Sequence, residues 1–165
     1  SSDLMPPMTL SGWFHTVLGV IAISRAASTL YQHRIIRAAD KSGGAYLLIT
    51  LVVAGSALAI YNQGGFGVGH IFAVITLTAL LAGCLLETLA PFGKWPVYLQ
   101  TGAYTATVLF CVIPAITDFL RRLPVDDPFV DSMDSKLMHS FHLAFLAAFI
   151  EGVLARWMWL TRARG

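Results

Sequence analysis

Five apolar runs divide this chain, at about residues 12–31, 45–61, 70–89, 97–117 and 137–160. As helices rising about 1.5 Å per residue, runs of this length cross a hydrocarbon core of ~30 Å. Lipid offers no hydrogen bonds to the backbone, so only helices or closed barrels span it, and runs this long are helices. Charged residues make up 12% of the chain, against about 25% in soluble domains. The prediction is an all-α protein: one integral membrane domain over residues 1–165, built of about five antiparallel transmembrane helices. The +2 net charge forms no basic patch, and nucleic acid is excluded as a partner.

The connections support an up-and-down order. A basic loop, Gln32 to Lys41, follows the first span, and Asn62-Gln63-Gly64-Gly65 reads as a tight turn. Pro91 to Pro96 breaks the chain again, and Pro114 predicts a kink near the end of the fourth span. The one long polar connection, Asp118 to Lys136, is acidic. Short connections join antiparallel neighbours. Pro6-Pro7 and Asp3 flank the first run without a basic segment, so the first span reads as retained rather than as a leader. Cys84 and Cys111 fall at different depths, too far apart for a disulfide.

Lysine and arginine set the expected orientation. Arg34, Arg37, Lys41, Lys94, Arg162 and Arg164 lie at one surface; only Arg121, Arg122 and Lys136 lie at the other. The first surface, with the C-terminus, is expected in the cytoplasm, as for a bacterial inner membrane protein. The second is expected to face the periplasm.

Four of the five histidines fall at that second surface. His15, His70, His139 and His142 begin the first, third and fifth spans, which all run the same way. His139 and His142 are three residues apart, hence on one helix face. With Asp118 at the same level, they form a candidate site for a transition metal (copper, iron or zinc). A single haem b is the second version, with His70 facing His15 or either fifth-span histidine, His139 or His142. Deeper in the spans lie Arg25 and Glu151. An unpaired charge there costs at least ~2.5–3.5 kcal/mol, so a buried Arg25–Glu151 ion pair is expected. It would lock the bundle or relay protons. Glu87 competes for Arg25 or for the His33-Arg34 end.

Phe14-His15 with Gly19, His33-Arg34 before the second span, His70 opening the third, and Met138-His139-Ser140-Phe141 before the last resemble an uncharacterised family of bacterial multi-span membrane proteins of unknown function. That resemblance implies a membrane bundle and points to the same histidines, without a reaction.

The residues therefore predict a membrane protein that binds a metal or one haem b for electron transfer or metal-dependent redox chemistry, with quinol as a possible partner. The alternative is a non-catalytic accessory subunit of a larger membrane complex, its histidines making hydrogen bonds between helices.

Overall fold

The computed structural model describes residues 9–60, 65–124 and 127–164. Five α-helices follow one another: α1 (Leu10–His33), α2 (Lys41–Ala59), α3 (Val68–Thr88), α4 (Trp95–Arg122) and α5 (Lys136–Arg164), with a short 3-10 turn at Ala90–Phe92. Among the described residues there is no strand. Most of the Asn62-Gln63-Gly64-Gly65 turn lies outside the described residues, as do Asp3, Pro6 and Pro7.

The helix ends follow local chemistry. The Thr9 side chain accepts the Gly12 N–H and caps α1. Arg34 takes a left-handed φ of 67° and closes α1 through its N–H to the Leu30 carbonyl. Pro96 stands in the first turn of α4, where its missing N–H would have no helical partner. Pro114 sits inside α4 without ending it, and the helix runs on to Arg122.

Helices α2, α3, α4 and α5 are long and apolar enough to cross a membrane. The first helix falls short by composition, because Ser11, His15, Thr16, Ser24, Arg25, Ser28, Thr29 and Gln32 dilute its apolar residues. It nonetheless lies antiparallel along α2. His15 meets Ser56 near one end, and Thr29 meets Ser42 near the other. It therefore occupies the same slab as its neighbour.

The first four helices form a ring: α1 packs on α2, α2 on α3, α3 on α4, and a lighter α1–α4 contact closes it. Ala22, Ala26, Tyr46, Leu47, Leu80 and Tyr104 meet inside. Tyr46 crosses the ring to donate its hydroxyl to Thr107, whose own proton goes to the Tyr104 carbonyl. Gly83 is required here, since a Cβ would overlap the Tyr104 ring. Buried threonines satisfy their hydroxyls on carbonyls one turn back, as Thr50, Thr101 and Thr105 do.

The last helix stands outside the ring, on the flank of α4, with only 11% of its span buried. It is fastened near both ends. Leu160 packs with Ile35 and Val97, and the Trp157 indole donates to the Tyr98 carbonyl. At the other end Met138 packs with Leu120 and Val130.

Candidate ligand cavity at the histidine end

The ring leaves a cavity of about 920 Å³ where α1 and α3 begin and α2 and α4 end. That lies within the range of small-molecule and cofactor sites, roughly 300–1,000 Å³. Small side chains make the room: Gly19 on α1, Ala54 and Ala57 on α2, Ala73 on α3. Phe72 and Phe110 supply aromatic wall, meeting edge to face at 6.4 Å. His15, His70, Cys111, Asp118 and Arg122 supply polar groups. The cavity is thus apolar over most of its wall, with a few polar groups set into it. Exposed Trp13 and Val20 of α1 and Phe119 of α4 also line it, so it breaks the outer surface of the bundle.

Hydrogen bonds fix the histidine protons. His15 Nδ1 lies 2.9 Å from Ser56 Oγ, and Ser56 spends its single proton on the Val53 carbonyl. His15 must therefore donate from Nδ1, and its neutral ring carries a lone pair on Nε2. Asp118 lies within electrostatic reach of the same imidazole, and Arg122 holds that carboxylate at 3.0 Å. His70 has the opposite arrangement. Its Nδ1 accepts the Gly67 N–H at 3.0 Å, capping α3. The proton of a neutral His70 is therefore on Nε2. Phe66 stacks on its ring at 5.1 Å.

The two fifth-helix histidines do not join them. His142 Nε2 lies 2.9 Å from Thr117 Oγ1, whose proton goes to the Ile113 carbonyl. His142 is thus the donor in a bond that ties α5 to α4. His139 is exposed. The expected convergence of all four histidines is corrected on geometric grounds: α5 lies on the outer flank of α4, whose width separates its histidines from the ring interior. Among the described residues, no three of His, Cys, Asp and Glu gather in a group able to hold a metal ion.

The expected Arg25–Glu151 pair is corrected as well. Both residues are exposed and form no ion pair among the described residues. The physical reason is the ring: α1 packs on α2 and α4, while α5 packs chiefly on α4. Glu87 pairs with neither Arg25 nor the His33-Arg34 side chains. Its carboxylate accepts the Ala38 and Ala39 N–H groups, at 2.8 and 3.2 Å, and the Tyr104 hydroxyl at 3.0 Å. It anchors the α1–α2 loop to the core. Cys84 and Cys111 are free thiols.

Sequence reasoning missed Ser56 and Thr117 as polar partners, and it set Glu87 against Arg25 or His33-Arg34 rather than against the Ala38 and Ala39 N–H groups and Tyr104. A hydroxyl within an apolar run at the histidine level was the available signal for Ser56 and Thr117. Glu87 bonds backbone, and backbone partners leave no trace in residue type.

Comparison with known protein families, curated proteins and solved structures finds no match. The functional reading therefore stands on the cavity.

Proposed function

We propose that this membrane bundle binds a lipophilic ligand of the quinol class, headgroup at His15 and tail along the apolar wall of the cavity. The observation that carries this reading is the His15 tautomer. Its Nε2 lone pair accepts a hydrogen bond from a ligand hydroxyl, while Ser56 holds the ring in place. If the ligand is deprotonated, His15 Nε2 takes the proton. His70 lines the same end of the cavity, and a ligand hydroxyl is the group that suits the His15 acceptor.

Haem b or a transition metal is the second reading, favoured by the same lone pair, since neutral imidazole nitrogen is the usual ligand atom. It draws on His15 rather than on a bis-histidine pair, because ligation through His70 Nε2 would take the proton elsewhere and break the α3 cap. The accessory-subunit reading is favoured by His142, whose bond is structural, and by the bare face of α5.

The test uses the full chain in lipid nanodiscs, titrated with a short-tailed benzoquinol and followed by isothermal calorimetry. Binding near one ligand per chain is expected, weakened roughly tenfold or less by His15→Ala, the loss of one net hydrogen bond. His139→Ala should leave it unchanged. Absence of quinol binding refutes the proposal. A Soret band in the purified protein would instead establish the haem reading.

A further inference from the structure

We infer that this chain assembles with copies of itself in the membrane, Arg25 of one copy pairing with Glu151 of the next. The inference begins with depth. Asp118 of α4 lines the same end of the cavity as His15, and its neighbour Thr117 is bonded to His142. His15 on α1 and His142 on α5 therefore share one level. Arg25 is ten residues beyond the first and Glu151 nine beyond the second, about 15 and 13.5 Å deeper along their helices. The side-chain contacts give the same register. His15–Ser56 and Thr29–Ser42 set Arg25 level with Tyr46, whose hydroxyl meets Thr107, and Thr107 lies midway between the Thr117–His142 and Val97–Leu160 contacts, at the level of Glu151.

The two charges are thus level, opposite in sign, outward-facing and unable to meet within one chain. Every copy inserts with the same topology, so level residues stay level between neighbouring copies, and the pair forms without vertical displacement. The surfaces suit close approach. Around Glu151, on the same face of α5, stand Ala144, Ala147, Ala148 and Ala155, all exposed. Small residues let helix backbones come together in lipid. One turn before Arg25, Ile21 is also exposed. The contact joins an α1 face to an α5 face, so it is heterologous, and each copy can engage two neighbours. A second copy is the occupant because it carries the complementary charge at the required depth.

The test is disulfide trapping in native membranes, with two differently tagged full-length copies in a Cys84→Ser, Cys111→Ser background. One copy carries Ile21→Cys and the other Ala147→Cys, each four residues before its charged neighbour, both charges intact. A cross-link between the two tags is expected, and none between two Ile21→Cys copies. Arg25→Glu alone or Glu151→Arg alone should abolish the cross-link. Combining Arg25→Glu with Glu151→Arg in both copies should restore it. No cross-link with native charges, a cross-link indifferent to the charge reversals, or a monomer mass in nanodiscs would overturn the inference. Trapping of a different protein in place of the second copy would also overturn it.

Discussion

Gly83→Ala sets two physical effects against each other, and their magnitudes decide the sign. Helix propensity alone favours alanine by about 1 kcal/mol. Packing opposes it. The new methyl would overlap three atoms of the Tyr104 ring, and that ring is fully buried. Tyr104 cannot swing aside cheaply, because its hydroxyl donates to Glu87 at 3.0 Å. Overpacking of this kind costs about 1–3 kcal/mol. Displacing the ring also loses a hydrogen bond to a charged group, ~1.5–3 kcal/mol. The net expectation is a loss of roughly 2–4 kcal/mol, after subtracting the propensity gain. Unfolding in mixed detergent and dodecyl sulfate micelles, followed by circular dichroism, measures it. In a Tyr104→Phe background the ring is no longer tethered, and the loss should shrink by about the worth of that bond. A neutral or stabilised Gly83→Ala would refute the close α3–α4 approach on which the core rests.

Glu87→Ala should destabilise the α1–α2 loop by about 2–3 kcal/mol, since three donors lose a charged acceptor but two of them can turn to water; hydrogen exchange at Ala38 and Ala39 should rise and serves as the readout. Removing the α4–α5 bond by Thr117→Val or by His142→Ala should each cost about 1 kcal/mol, with the double variant clearly less than additive in the same unfolding assay; strict additivity would mean the two side chains do not touch.

Helical class, antiparallel order and approximate helix bounds were legible because lipid dictates them through length and apolarity. The first helix was harder, since its hydroxyls and Arg25 lower its hydropathy while its packing on α2 holds it in the slab. Depth was legible too: His15, His70, His142 and Asp118 do lie at one end. Azimuth was not. The sequence shows how far along a helix a residue sits, but the direction in which it points depends on which helices are neighbours. Placing α5 outside the ring separated His139 and His142 from the cavity, and Arg25 from Glu151, in one stroke. Proton positions were equally invisible, because they depend on Ser56 and Gly67 as partners of His15 and His70.

The closure of the ring by its lightest contact, between α1 and α4, has a consequence for traffic. Trp13, Val20 and Phe119 face outward and line the cavity at once. For the proposed ligand, the seam they flank would be a side entrance: a molecule dissolved in the bilayer would reach His15 by sliding laterally between two helices, without passing through water. The membrane would then be its reservoir, and the local concentration of ligand would be set by its solubility in lipid.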